Sequence, residues 1–159
     1  MTGRLPSWLP PSAATDLDLL LMGLKPAARL HVGERRSKIR RWARSQGLFC
    51  STDTDGYAVL SRDGATARRL LDLDRRSGRH AIALGRMLGY PECCSRAAAR
   101  VGEARIDDWG DVIAARRFRG RFRKIDPGAY RAGGALLSHV PCSHVCEASA
   151  KLVKRQARC

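Results

Sequence analysis

The chain has 159 residues, with 30 lysines and arginines against 15 aspartates and glutamates, and its formal net charge is +15. This length suits one compact domain, and the positive charge favours an anionic partner, either a small or carrier-borne substrate or a nucleic acid. The apolar run at 19–22 is too short to span a membrane and follows acidic residues, whereas a secretory signal carries positive charge there. The sequence therefore argues against a membrane protein and predicts a cytoplasmic location.

Taken in chain order, the sequence predicts a mostly helical α+β fold. Proline and serine are frequent in residues 1–14, which predicts a flexible N-terminal lead before a single domain over 15–159. Two short apolar runs at 48–50 and 57–60, joined by a turn that contains Gly56, predict a small antiparallel β-hairpin. Apolar residues at helical spacing, bounded by glycine and proline, predict helices at 16–24, 34–46, 65–76, 80–88, 91–101, 107–118 and 142–157.

Two cysteines stand side by side after a proline, in the segment LGYPECCSRAAAR at 88–100. The proline suits the first position of a helix, so Cys93 and Cys94 are expected in its first turn. The helix dipole and the unpaired backbone N–H groups at a helix start stabilise a thiolate over a thiol. Since the thiolate is the form that binds metal, this pair is a candidate set of metal ligands.

A second pair follows in SHVPCSHVCEASAKL at 138–152, again after a proline. With a helix starting at 142, Cys142 lies in the first turn and Cys146 lies on the same face four residues later. In a reducing compartment, cysteines grouped in this way more often bind metal or do chemistry than form disulfides. If the two helix starts meet, the two pairs offer four sulfur ligands at one point.

Four converging thiolates are the ligand set of a tetrahedral zinc site or of a four-iron iron–sulfur cluster. We expect the cluster first, since each of its irons takes its own thiolate and the C-x2-C spacing that is usual in structural zinc sites is absent. The predicted metal ligands are Cys93, Cys94, Cys142 and Cys146. His139, in the turn before the second pair, is expected either to replace one thiolate or to support the ligands through a hydrogen bond.

Other functions fit the same cysteines. Without metal, the adjacent pair can serve as redox thiols or as a nucleophile in a thiol enzyme, or it can simply be packed in the core. With a structural zinc, the protein is instead a nucleic-acid-binding module, whose phosphate contacts come from basic segments at 34–44 and 116–124. The anion-binding candidates are Arg35, Arg36, Arg40, Arg116, Arg117, Arg119, Arg121 and Arg123.

The patterns G-x2-LGYP-x-CC at 85–94 and H-x-PCS-x2-C-x2-S at 139–149 resemble the two signatures of a family of small archaeal and bacterial proteins, known mainly as a domain of unknown function. The segment GLKPAARLHV and the hairpin are also similar to that family, so the resemblance covers most of the chain beyond residue 20. It implies that the cysteines act together, and it supplies no reaction. The leading interpretation is an iron–sulfur or zinc protein with redox or sulfur-transfer chemistry, and whether it is an enzyme stays open.

Overall fold

The structure is a computed structural model that describes residues 5–76, 78, 80–116, 130 and 132–157. At its centre is a three-stranded antiparallel sheet built from β1 (Ala27–His31), β2 (Phe49–Thr52) and β3 (Tyr57–Ser61), with β3 in the middle. Helices make up most of the remaining elements, so the predicted, mostly helical α+β class is confirmed.

The predicted hairpin is present as β2 and β3, but the sequence analysis does not predict β1. This strand pairs with β3 along its whole length, from Ala27 opposite Ser61 to His31 opposite Tyr57. Alanine is depleted in strands, and two of the five residues of β1 are alanines, so the local sequence signals a strand only weakly. The strand forms because β3, more than twenty residues later in the chain, offers it an unpaired edge.

The helices follow the predicted order, with shifted ends. The first begins at Ser12, directly after two prolines, which are well tolerated at a helix start. Part of the helix predicted at 107–118 lies outside the described residues. The described helices are α1 (Ser12–Leu21), α2 (Arg36–Ser45), α3 (Gly64–Arg75), α4 (Ala81–Met87), α5 (Glu92–Val101), α6 (Ile106–Ala115) and α7 (Glu147–Gln156), with short 3-10 helices at Gly33–Arg35 and Glu103–Arg105. In the part of the chain that the structure describes, none of these helices is long and apolar enough to cross a membrane.

The sheet separates two hydrophobic clusters, because side chains alternate between the two faces of each strand. Ala58 and Leu60 of β3 belong to a first cluster, together with buried side chains of α1 and α2. Val59, which lies between them, belongs to a second cluster that contains Leu70 and Leu71 of α3. Helices therefore cover both faces of the small sheet, which is consistent with the strong burial of its central strand.

A close contact between α4 and α5 determines where the adjacent cysteines lie. A Cβ atom on Gly85 would lie 2.4 Å from Ser95 Oγ, so a side chain at this point of α4 would collide with α5. Between the two helices, Gly89 has a φ of +82°, a conformation that favours glycine. Pro91 then adopts an extended backbone, with φ −56° and ψ 142°, and leads the chain into α5. The start of α5 is thereby packed tightly against α4.

Candidate metal centre

Cys93 and Cys94 lie in the first turn of α5. The helix begins at Glu92, so Pro91 is the residue before the helix rather than its first position. Cys94 is buried, with 2% of its surface exposed, whereas Cys93 is exposed to solvent.

Cys142 and Cys146 do not lie within a helix, which corrects the helix predicted at 142–157. Residues 138–145 form bends and turns, and Cys146 is the N-cap of α7, with an extended backbone at φ −62° and ψ 105°. Residues 142–145 are cysteine, serine, histidine and valine, which all have weak helix propensity, so α7 does not extend back to the proline. The backbone N–H of Cys142 instead donates to Cys94 Sγ at 3.4 Å, which joins the second pair to the first.

The four sulfurs meet at one point, which confirms the prediction that the two cysteine pairs converge. All four Sγ atoms lie within 4.8 Å of one another. The Sγ–Sγ distance is 3.9 Å between Cys93 and Cys94 and 3.8 Å between Cys93 and Cys146. Between Cys94 and Cys146 it is 3.6 Å. All four cysteines are free rather than disulfide-bonded, and they form a cluster that can hold a metal ion.

Ser149 contacts two of the sulfurs, and the sequence analysis assigns it no role. The residue is fully buried, and its Oγ lies 3.3 Å from Cys146 Sγ and 3.4 Å from Cys94 Sγ. His139 Nε2 lies 2.9 Å from the same hydroxyl, so this histidine reaches the sulfurs through Ser149. Spacing is the signal that could have identified the serine, because a side chain three residues after an N-cap folds back toward the helix start.

Burial and local hydrogen bonds shift the cysteine pKa values in opposite directions. Burial raises the pKa of Cys94 and raises the pKa of Cys142 to about 11. Burial also acts on Cys146, but hydrogen bonds, first of all from Ser149, outweigh it and lower the pKa of Cys146 to about 7. A bound cation would stabilise thiolates at the other positions, because each thiolate then faces a positive charge.

His139 is neutral at pH 7. Burial lowers its pKa to about 3, and the charge of nearby Lys25 acts in the same direction. When Ser149 donates its single proton to a sulfur, its oxygen can accept a hydrogen bond from Nε2–H of the neutral imidazole. The contacts from His139 through Ser149 to the sulfurs are therefore those expected of residues that orient the cysteine side chains.

The basic candidates lie on other elements. Arg35 and Arg36 donate to backbone carbonyls at 2.6 and 3.0 Å, and Arg40 donates to a threonine hydroxyl. These bonds tie three arginines at the start and middle of α2 to the protein's own surface. Arg116 is exposed directly after α6. The remaining candidates, Arg117, Arg119, Arg121 and Arg123, lie outside the described residues.

No family model, no curated protein and no solved structure matches this chain. The resemblance of its two cysteine motifs to a known family therefore stays a prediction. The functional interpretation depends on the geometry of the four cysteines and of the residues around them.

Proposed function

We propose that the protein binds a single metal ion, with zinc as first choice, in a tetrahedral site formed by Cys93, Cys94, Cys142 and Cys146. The separation of the sulfurs supports this proposal. A tetrahedral zinc ion with Zn–S bonds of about 2.3 Å places its sulfurs about 3.8 Å apart. Three of the Sγ–Sγ distances in the cluster are 3.6, 3.8 and 3.9 Å, close to the edge of such a tetrahedron.

An iron–sulfur cluster, which the sequence analysis places first, is the second candidate. The four thiolates of such a cluster bind separate irons and lie roughly 6 Å apart, whereas the sulfurs here all lie within 4.8 Å. The cluster is kept as the alternative because the sulfurs have room to move apart on two sides. Cys93 is exposed to solvent, and a cavity borders Cys94. Redox or sulfur-transfer chemistry is the activity expected with a cluster.

A bound ion would join distant parts of the chain. Cys94 and Cys146 are 52 residues apart in sequence, so metal bonds to both close a long loop and hold the start of α7 against α5. An ion with four protein thiolates has no open coordination position, which is typical of a structural zinc site. The proposed role of the ion is therefore to stabilise the C-terminal part of the fold.

Three further expectations from the sequence belong to this proposal. Membership in the cysteine-motif family is consistent with the short distances between the cysteines of the two motifs. A cytoplasmic location fits the free cysteines, since a reducing compartment keeps thiols available. The net charge of +15 fits an anionic partner, and strongly salt-dependent RNA or DNA binding would favour the zinc-stabilised nucleic-acid-binding alternative.

Anaerobic purification, followed by elemental analysis and a visible spectrum, tests the metal. We expect a colourless protein with one zinc per chain, and visible absorption after replacement of zinc by cobalt in the same tetrahedral thiolate site. A brown protein with iron and acid-labile sulfide would show that the four cysteines hold an iron–sulfur cluster instead of zinc. A folded chain without any metal would overturn both and leave thiol chemistry or simple packing as the role of the cysteines.

Replacing Ser149 by alanine should lower the metal affinity about tenfold or more, because it removes the hydroxyl that contacts two ligand sulfurs. Competition with a chromophoric chelator measures the affinity. Ser143→Ala is the matched control, since this serine lies in the turn before α7 and is not among the described residues that contact a sulfur. An equal loss in the two variants would contradict a specific role for Ser149.

A further inference from the structure

Positive charge is concentrated on α2 and on the residues that lead from it into β2. Residues 35–52 contain six lysines and arginines and no aspartate or glutamate. Lys38, Arg41 and Arg44 are exposed, and they form no hydrogen bond or ion pair within the part of the chain that the structure describes. Because no carboxylate of the described chain pairs with them, these three cations are available to an anionic partner.

A row of arginines on α2 runs beside the strand β2. Arg36, Arg40 and Arg44 are spaced four residues apart, so they lie on one side of the helix with a step of about 6 Å. Arg40 donates to the hydroxyl of Thr52, and Arg36 donates to the carbonyl of Asp53 at 3.0 Å. These bonds hold the first two arginines against the end of β2. Since a guanidinium has five N–H donors, each of them keeps donors for a phosphate.

Phe49 offers an exposed aromatic ring at the start of β2, which is an edge strand. The residue is 55% exposed, and a Cβ atom on Gly64 would lie 3.0 Å from its Cδ1 atom, so part of the ring packs against the start of α3. Among the described residues, neither a second ring nor a cation stacks on it. The N–H of Leu48 donates to the carbonyl of Ala43 at 2.8 Å, which brings the end of α2 to the start of β2. The ring and the arginine row therefore lie at one edge of the sheet.

The chemistry of this edge favours a single-stranded nucleic acid over other anionic partners. The phosphates of such a strand can bind a line of arginines, and an unpaired base can stack on a free ring. An acidic peptide added as a fourth strand is disfavoured, because charged side chains along an edge oppose strand pairing. An anionic membrane is disfavoured as well, since the apolar side of α2, with Ile39 and Ala43, is buried in the first hydrophobic cluster and cannot insert into lipid.

We propose that this edge binds single-stranded RNA or DNA, with phosphates on the cations of α2 and one base stacked on Phe49. We call the surface the arginine edge, and its members are Arg36, Lys38, Arg40, Arg41, Arg44 and Phe49. None of the four clustered cysteines belongs to it. The inference therefore goes beyond the proposed metal site, and it assigns the anionic partner to a defined surface.

Fluorescence anisotropy of the full chain with labelled oligouridine and oligothymidine strands of about twelve nucleotides tests the proposal. At least one strand should bind, with an affinity that falls steeply as salt rises. A duplex of the same length should bind at least about fivefold more weakly, because its bases are already stacked on one another. Binding of neither strand at low salt would overturn the proposal, and a duplex that binds as tightly as the better strand would overturn the single-stranded partner.

Two double variants locate the surface. Arg41→Gln combined with Arg44→Gln should weaken binding at least about tenfold and lower the salt dependence, because two phosphate contacts are lost. Arg100→Gln combined with Arg105→Gln removes the same charge elsewhere and should have a much smaller effect. Arg105 belongs to the 3-10 helix whose Glu103 is paired with Arg29 of β1, at the opposite edge of the sheet. Equal losses in the two double variants would overturn the arginine edge as the binding site.

Replacing Phe49 by alanine tests the stacked base separately from the phosphate contacts. The variant should bind the better oligonucleotide about tenfold more weakly than the wild type does. It should bind an abasic strand of the same length as tightly as the wild type does, because that strand has phosphates and no base to stack. An equal loss of affinity for both strands would contradict stacking on Phe49, and so would an unchanged affinity for the oligonucleotide.

Discussion

Replacing Cys142 by serine should abolish tight metal binding and lower the free energy of unfolding by about 4 kcal/mol or more. This change in the free energy of unfolding follows from the linkage between metal binding and folding. An ion present at about a thousand times its dissociation constant stabilises the folded chain by about 4 kcal/mol. The site requires the folded chain, since Cys94 and Cys146 are 52 residues apart in sequence. Elemental analysis after gel filtration gives the metal content, and urea denaturation followed by circular dichroism gives the stability.

Cys50 provides the matched control for this substitution. It is a free, partly buried cysteine of β2 that packs against the first hydrophobic cluster, away from the four-sulfur group. Cys50→Ser should cost about 1 kcal/mol and retain the full metal content. A chelator should lower the stability of the wild type toward that of Cys142→Ser and leave that variant unchanged. Full metal occupancy in Cys142→Ser would show that Cys142 is not a ligand.

Replacing Lys25 by methionine should destabilise the fold by about 3–5 kcal/mol, because it leaves the carboxylate of Asp16 buried without its cation. Asp16 is 2% exposed and Lys25 is 6% exposed, so water can replace neither partner. Burial alone would lower the pKa of Lys25, but Asp16 raises it, and the lysine is therefore charged at neutral pH. Urea denaturation at pH 7 measures the change in the free energy of unfolding.

A second substitution distinguishes a broken ion pair from a general packing defect. Adding Asp16→Leu to Lys25→Met replaces the whole pair by apolar groups, which is often neutral or stabilising. The double variant should therefore recover a large part of the lost stability, although the contacts of Lys25 with Ser138 and of Asp16 with Tyr130 are also removed. A double variant that is less stable than Lys25→Met would contradict the explanation by an unpaired charge.

The identity of the four candidate cysteines is predictable, because each pair carries a local signal of its own in a proline followed by cysteines close to a helix start. The last helix begins at Glu147 rather than at 142, because residues 142–145 have weak helix propensity and because their position depends on a distant segment. Cys142 and Cys146 lie in turns that bring their sulfurs to the start of α5, and this approach depends on a contact between segments that are distant in sequence.

Longer-range features could not be predicted for the same reason. β1 is stabilised by its pairing with β3, and its own residues give only a weak strand signal. The cavity depends on contacts such as the one between Lys25 and Ser138, which are 113 residues apart in sequence. Hydrophobic periodicity and motif spacing describe neighbouring residues, so they identify candidate ligands but not the walls that enclose a site.

The four cysteines differ in exposure, so one side of their cluster is open to solvent and the other side is buried. Cys94 and Cys146 are buried, whereas Cys93 faces solvent. With the proposed ion bound, a thiol from outside would reach it at the Cys93 position and would displace that ligand while the buried sulfurs stay bound. Release of the ion to bulk water would instead require several metal–sulfur bonds to break together. The proposed centre would therefore lose its ion slowly by dissociation and faster by exchange with a competing thiol.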